Sequence, residues 1–109
     1  MIIYEVNATI INSLLNEYIK WLEFHIQKRM LPLEGFESAR YFIEENNKEE
    51  EHSTICIQYQ LSSRKALDNY FKFHVEEMRT PRDGLEFLEE HITRHWRILR
   101  FVNKFEGQT

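Results

Sequence analysis

The clearest signal along the chain is an alternation of apolar and polar side chains, which predicts strands that pack on one side only. In residues 2–10 the apolar set is Ile2, Tyr4, Val6 and Ala8, opposite Ile3, Glu5, Asn7 and Thr9. In residues 53–61 it is Ile55, Ile57, Tyr59 and Leu61, opposite Thr54, Cys56, Gln58 and Gln60. In residues 36–45 one side carries Ala39, Tyr41 and Ile43, and the other carries Phe36, Ser38, Arg40 and Phe42.

Between these strands the apolar period changes to that of a helix. A first helix is predicted from an N-cap at Asn12 or Ser13 to about Leu31. Its apolar positions are Leu15, Ile19, Leu22, Ile26 and Met30, with Leu14, Tyr18, Trp21 and His25 beside them. A second helix should begin after Ser62 or Ser63 and carry Leu67, Phe71, His74, Val75 and Met78.

The remaining chain predicts a short helix and a last strand. Thr80 is a suitable N-cap and Pro81 a suitable first helical residue, so a third helix is expected to run to about His91. Residues 96–101 then alternate as a strand, with Trp96 and Ile98 opposite Arg97, Leu99 and Phe101. The acidic stretch 46–51 is expected to be a solvated hairpin loop.

The order β-α-β-β-α-β, with an extra short helix before the last strand, predicts an α+β fold of the ferredoxin-like type. In that fold both helices cover one face of a four-stranded antiparallel sheet, and the first and third strands lie in its centre. Residues 1–109 are expected to form a single such domain, since a chain of 109 residues suits one core.

The sheet face away from the helices would carry mostly uncharged polar groups. Amides, hydroxyls and a thiol tolerate burial when they are hydrogen-bonded, and Phe36 and Phe42 flank them. We therefore expect a second copy of the chain to cover this face, giving a homodimer with sheet facing sheet, a dimeric α+β barrel.

Composition and charge narrow the classes of function. The net charge of −4 and the pI near 5.7 disfavour nucleic-acid binding, which requires a basic surface. Arg94, Arg97 and Arg100 fall on both faces of the last strand and are expected to protect a sheet edge. The lone Cys56, the absence of a signal peptide and the absence of a long apolar segment predict a cytoplasmic protein with no membrane contact.

The histidines are the first candidates for chemistry. His91 and His95 have the i, i+4 spacing of zinc ligands, but the last strand is predicted to start near His95, so no metal is expected. His25 and His74 lie on the two long antiparallel helices at heights that differ by roughly 9 Å, which disfavours a shared site. Cys56 lies in mid-strand, where a buried and inert thiol is expected.

Arg40 is the most suggestive charged residue. It shares the outer sheet face with Glu5, which suggests either an Arg–Glu ion pair or an anion-binding arginine at an amphipathic pocket. The candidate ligand-binding residues are Arg40, Asn7, Glu5, His25, His74 and Trp21.

Several segments together resemble a known family. They are residues 1–6, 21–26 and 35–40, Tyr70 with His74, and residues 97–99. The chain resembles the short bacterial proteins of domain of unknown function 4286, which are assigned to the dimeric α+β barrel superfamily. The resemblance implies the fold and dimerisation, and it implies no established activity.

Two functions from different classes remain open. The first is a non-catalytic module, without a cofactor, that binds a small amphipathic or anionic ligand or a protein partner. The alternative is an enzyme of the cofactor-independent monooxygenase or haem-degrading type, for which Asn7, Trp21 and His74 supply residue types used on this superfold. The strand parity points Asn7 away from the helices, against that alternative. A cavity lined by Asn, His and Trp would favour the enzyme. A cavity lined by Arg, amides and aromatic rings would favour the binding module. The absence of any cavity would favour a purely structural dimer.

Overall fold

The computed structural model describes residues 1–45 and 51–108. Its strands are β1 (Ile2–Ile11), β2 (Phe36–Ile43), β3 (His52–Leu61) and β4 (Ile92–Arg100). Its helices are α1 (Leu15–His25), α2 (Arg64–Phe73) and α3 (Val75–Arg79). The described strands form an antiparallel sheet in the order β2-β3-β1-β4. This is the predicted ferredoxin-like topology, with β1 and β3 in the centre.

The core lies between the sheet and the helices, as the alternation predicted. On β1 and β3 the predicted apolar sets face inward: Tyr4, Ala8, Ile55, Ile57, Tyr59 and Leu61 are each at most 3% exposed. The most deeply buried positions of the first helix are Tyr18 and Leu22. Because the apolar stripe is centred on these two residues, Leu15 and Ile19 lie at its partly exposed edge.

Strand β4 begins at Ile92, four residues before the predicted start. Thr93, Arg94 and His95 are polar and gave no strand signal, yet they pair with Thr9, Ala8 and Asn7 of β1. The pairing places Arg94, Trp96 and Ile98 on the helix side and Arg97 on the outer face. Phe101 was predicted to be in the strand but follows it, and its N–H donates to the Met1 carbonyl over 3.0 Å.

Phe36 faces the helices, so its predicted position on the outer face is wrong. A bulge interrupts the ladder between Phe36, which pairs with Leu61, and Ser38, which pairs with Gln60. The extra residue inverts the side-chain parity at this point. Phe36 consequently packs edge-on against Tyr59 and Tyr70, with ring centroids 5.8 and 5.2 Å apart.

The first helix starts without the predicted side-chain cap. A 3-10 turn over Asn12–Leu14 leads into α1, and no side chain in the described part of the protein caps either element. Asn12 instead accepts a hydrogen bond from the Ser53 hydroxyl, which ties the end of β1 to β3. After His25 the helix widens into a π-helical turn over Ile26–Met30, so the predicted end near Leu31 is confirmed.

The second helix has the predicted cap, and the third helix does not. The Ser63 hydroxyl accepts from the Ala66 N–H over 3.1 Å. The Thr80 hydroxyl donates to the Glu76 carbonyl over 2.7 Å, so Thr80 closes α3 instead of opening a new helix. Asp83 and Gly84 have positive φ angles of 58° and 100°, which prevents a helix from starting there, and 3-10 turns over Leu85–Phe87 and Glu89–His91 follow.

The predicted acidic hairpin loop falls on residues 46–50, which lie outside the described residues, and on Glu51, which is exposed. None of the helices in the described ranges is both long and apolar enough to cross a membrane.

Candidate ligand-binding cavity

A cavity of about 100 Å³ lies between the helix side of the sheet and the helices. Six tyrosine and tryptophan rings line it: Tyr4, Tyr18, Trp21, Tyr59, Tyr70 and Trp96. Four charged or titratable side chains also line it: His25, Arg79, Glu89 and Arg94. The wall is thus aromatic, with a small number of polar groups, which is the usual composition of a small-molecule site.

His25 is the last residue of α1 and is 7% exposed. Its ring stacks on Trp21, whose indole N–H donates to the Arg82 carbonyl over 2.9 Å and is thereby held in place. Burial, reinforced by the positive charge of Arg82, lowers the pKa of His25 to about 4. The imidazole is therefore neutral at pH 7, and its buried Nδ1 atom has no hydrogen-bond partner in the described part of the chain.

Arg94 reaches the cavity from β4, where its guanidinium lies beside the Tyr18 hydroxyl and is bonded to Glu89 through one arm. Its Nη1 atom donates to Glu89 Oε1 over 2.6 Å. Arg94 Nη2 and Glu89 Oε2 are both buried and unpartnered within residues 1–45 and 51–108. An arginine and a carboxylate often pair through two parallel hydrogen bonds, and here the second is missing. The pair therefore offers one free donor and one free acceptor.

The rim of the cavity is formed by Arg79 and Trp96. The guanidinium carbon of Arg79 lies 4.2 Å from the centre of a Trp96 ring, a cation–π contact. Arg79 Nη2 also donates to the Tyr4 hydroxyl over 3.1 Å. Both Arg79 and Trp96 are exposed, the latter by 40%, so the cavity reaches the surface at this point.

Three tyrosines of the wall, Tyr18, Tyr59 and Tyr70, are neutral phenols. Burial raises the pKa of Tyr59 and Tyr70 far above the usual value of a phenol. Burial also raises the pKa of Tyr18, although the nearby Arg94 opposes the shift. These side chains therefore present apolar ring faces and uncharged hydroxyls at physiological pH.

The opposite sheet face carries a separate polar cluster centred on Glu5, which is completely buried. Glu5 forms an ion pair with Arg97 and accepts hydrogen bonds from three further side chains, Asn7 (2.9 Å), Cys56 (3.2 Å) and Gln58 (2.9 Å). Burial alone would raise the pKa of Glu5, but the four donors outweigh it and hold the pKa at about 2. Glu5 is therefore ionised and fully paired.

Arg40 and Cys56 both belong to this cluster, where each is hydrogen-bonded to another of its side chains. Arg40 does not pair with Glu5 directly: its Nε atom donates to Gln58 Oε1 over 2.9 Å, and Gln58 in turn donates to Glu5. Burial and the hydrogen bond to Glu5 raise the pKa of Cys56 to about 11. The thiol therefore remains protonated and is a poor nucleophile.

The fold divides the six predicted site residues between two faces of the sheet. Trp21 and His25 lie together at the cavity. Glu5, Asn7 and Arg40 lie on the outer face. His74 is a half-buried residue at the break between α2 and α3 and does not line the cavity.

The sequence patterns missed Arg94 and Glu89. Had the last strand been started at Ile92, the alternation Ile92, Arg94, Trp96, Ile98 would have placed Arg94 on the helix side.

Among the histidines, His91 lies in a 3-10 turn beside Glu90, and His95 lies on β4 opposite Asn7. Within the described residues no group of three or more His, Cys, Asp or Glu side chains could hold a metal ion.

Residues 1–87 match the sequence profile of domain of unknown function DUF4286. The chain belongs to this family. The resemblance predicted from the sequence is thereby confirmed. No curated protein shows significant sequence similarity to the chain.

Solved structures share the fold of this DUF4286 protein at low sequence identity. A dimeric ferredoxin-like protein from an uncultured marine organism has a TM-score of 0.67 and 9% identity, with coverage of 95% of this chain and 98% of that one. A Bacillus cereus protein, provisionally described as an antibiotic biosynthesis monooxygenase, has a TM-score of 0.64 and 14% identity over 97% and 98%. SnoaB, a cofactor-independent oxygenase from Streptomyces nogalater, has a TM-score of 0.52 and 10% identity over 97% and 98%. At these identities the similarity establishes the ferredoxin-like fold alone.

Proposed function

We propose that this DUF4286 protein is a cytoplasmic homodimer that binds a small amphipathic molecule, without catalysis, in the cavity between sheet and helices. The observation that carries the proposal is the position of three of the four buried side-chain polar atoms that have no partner among the described residues: His25 Nδ1, Glu89 Oε2 and Arg94 Nη2, the fourth being Arg82 Nε. All three residues line the same aromatic cavity. Leaving a buried polar group unpaired costs about 1–3 kcal/mol, so such groups are uncommon away from functional sites.

The arrangement suits recognition of a ligand with an apolar body and a polar end. The aromatic wall favours the apolar body through burial and ring contacts. Arg94 and Glu89 can satisfy an acceptor and a donor on the ligand, and His25 can accept or donate one more hydrogen bond. The chain has two tryptophans, Trp21 and Trp96, and both line this cavity.

The homodimer part of the proposal rests on the outer sheet face. Beside the Glu5 cluster this face carries exposed or half-exposed apolar side chains, among them Ile3, Leu99 and Phe42, the last of them 51% exposed. A face that combines a paired charge with apolar side chains matches a subunit interface better than a water-facing sheet. The marine protein of the same fold is described as dimeric, which supports the proposal.

A cofactor-independent oxygenase is the second candidate, because His25 and Trp21 are in contact at the cavity and such an oxygenase shares the fold. Two observations favour binding over catalysis. Asn7 lies on the other side of the sheet, bonded to Glu5. A histidine whose pKa is about 4 is also a weak base at neutral pH, where an effective general base has a pKa near the operating pH.

The direct test uses native mass spectrometry of freshly purified protein, followed by titration with phenol. Phenol combines a ring with a hydroxyl, and its binding should change the fluorescence of Trp21 and Trp96. The variant Val6→Phe fills the cavity from β1 and should abolish the change. The matched control Val102→Phe adds the same ring at an exposed position after β4 and should leave it intact.

The outcomes separate the candidates. A dimer that retains a small molecule supports the proposal, and so does phenol binding that the wild type shows and Val6→Phe loses. A retained compound that gains oxygen when incubated with the protein in air favours the oxygenase. A wild-type protein with no adduct and no response to phenol contradicts ligand binding, and a monomer contradicts the quaternary structure.

A further inference from the structure

The charges at the cavity are unbalanced. Among the described lining residues, Arg79 and Arg94 are positive and Glu89 is negative, which leaves one net positive charge. His25 does not change this balance at pH 7, since its pKa is about 4. Arg82, whose charge also acts on His25, is paired with Glu77 over 3.0 Å and does not line the cavity. A partly buried net positive charge favours an anionic ligand.

Arg94 is prepared to contact that anion. Its side chain is 14% exposed, and Glu89 fixes the guanidinium through Nη1, which leaves Nη2 as a charged donor. A guanidinium held in this way loses little freedom when it binds a second acceptor. A carboxylate or phenolate oxygen is the acceptor that forms the strongest hydrogen bond with it.

The size of the cavity limits the body of the ligand. Its volume of about 100 Å³ is of the order of the engineered apolar cavity of about 150 Å³ that holds one benzene molecule. The rings of Tyr18, Trp21 and Tyr59 offer faces and edges to a planar group. One aromatic ring therefore fits, and a fused multi-ring compound does not fit in this conformation.

We propose that the ligand is a single-ring aromatic monoanion, with its ring among the tyrosines and Trp21 and its anionic group on Arg94. This inference rests on the proposed binding function and adds the chemical class of the ligand. It assigns Arg94 as the residue that selects charge and Glu89 as the residue that orients Arg94.

The test compares benzoate with benzamide, its neutral analogue of nearly the same shape, by calorimetry and tryptophan fluorescence. Wild-type protein should bind benzoate about ten-fold more tightly or better, since one charge-assisted hydrogen bond distinguishes the two. The double variant Glu89→Gln/Arg94→Gln removes the Arg94 donor together with its partner charge. Because Arg79 remains, the net charge at the cavity stays at one positive, so the preference of about ten-fold should fall sharply through loss of the hydrogen bond alone. The matched control Arg64→Gln/Asp68→Asn removes an exposed ion pair on α2 and should retain it.

The possible results distinguish a wrong ligand class from a wrong proposed function. Equal affinities for benzoate and benzamide in the wild type overturn the anion inference while binding stands. An undiminished preference in Glu89→Gln/Arg94→Gln overturns the assignment of Arg94 as the residue that selects charge. Failure of benzoate, benzamide and phenol alike contradicts the proposed function itself. If the double variant is unfolded by circular dichroism, Arg94→Lys replaces it: the lysine keeps the charge without the fork, so benzoate should bind more weakly and still be preferred.

Discussion

The imidazole of His25 lies flat against the indole of Trp21, with ring centroids 4.5 Å apart and planes at 17°. The stacking requires only a flat ring at this position. The polar Nδ1 atom, which has no partner among the described residues, is specific to an imidazole. A phenyl ring can reproduce the first without the second. The two contributions of His25, to packing and to the polar character of the cavity, are therefore separable by one substitution.

His25→Phe should preserve or increase stability and weaken phenol binding. Removing a buried nitrogen that has no partner among residues 1–45 and 51–108 should raise the free energy of unfolding by about 1 kcal/mol. Phenol affinity should fall by about ten-fold, because its hydroxyl loses one partner. Urea denaturation and tryptophan fluorescence measure the two effects. His74→Phe, outside the cavity, is the control and should bind phenol normally; unchanged affinity in His25→Phe would show that Nδ1 takes no part in binding.

His25 should also make stability depend on pH. The groups that act on it are Arg82, Asp83, Arg29 and Arg94. Its pKa falls from 6.5 to about 4 on folding, so below 6.5 the unfolded chain takes up a proton that the folded chain does not. Stability is full above that pH and declines toward pH 4, with a loss of about 2 kcal/mol between about pH 7 and pH 5.

The comparison that isolates this effect is wild type against His25→Phe. Denaturant unfolding at about pH 7 and pH 5 should show the smaller loss in the variant. Glu5 acts in a lower range, because its pKa of about 2 lies below the ordinary value of 4.5, and its stabilising contribution is lost from 4.5 downward. Identical slopes for the two proteins above pH 5 would contradict the assigned protonation of His25.

A negative charge on the outer sheet face should dissociate the proposed dimer. Phe42 is 51% exposed in the single chain, so Phe42→Glu should leave the fold intact while burying a carboxylate, beside Arg40, at the proposed interface. Gln58→Glu, beside Glu5, should act in the same direction. Sedimentation velocity should report monomers for Phe42→Glu. Phe73→Glu, at a 63% exposed position on α2, should remain dimeric; a dimeric Phe42→Glu would exclude this face as the interface.

Gly35 should tolerate alanine far less than Gly84 does. Both have positive φ angles, +86° and +100°, so both substitutions carry backbone strain of about 1–2 kcal/mol. At Gly35 the new Cβ would clash with the Ala66 Cβ, whereas at Gly84 no atom of the described residues lies within 4 Å of it. Gly35→Ala should therefore lose at least about 2 kcal/mol more than Gly84→Ala in chemical denaturation. Equal losses would mean that α2 moves away from β2 at little cost.

The fold could be predicted from the sequence wherever burial is one-sided. On β1 and β3 the alternation gave both faces correctly, including the outward position of Asn7 and Glu5. It failed at Phe36, where a bulge adds one residue and leaves no signal in the local pattern. It also failed at residues 92–95, whose polar side chains form a strand because β1 supplies the partner. Propensity is a weak guide where tertiary pairing decides.

The site was harder to predict than the fold, because its residues come from distant parts of the chain. Trp21 and His25 stood beside the apolar stripe of one helix and were found. Glu89 and Arg94 belong to a turn and a strand whose boundaries were misjudged. Within one chain the partner of Glu5 also differs from the ion pair considered with Arg40: Arg40 shares its face, but Arg97 lies directly opposite it in the ladder.

Tyr4 and Glu5 are consecutive residues of one central strand, and their side chains lie on opposite sides of the sheet. The hydroxyl of Tyr4 is held at the rim of the cavity by Arg79, and Glu5 is the centre of the polar cluster on the outer face. A single peptide unit thus joins the two surfaces, with no flexible segment between them. A molecule in the cavity that displaces β1 would also displace the proposed subunit contact. Thermodynamic reciprocity then requires that association change ligand affinity by the same factor by which the ligand changes association.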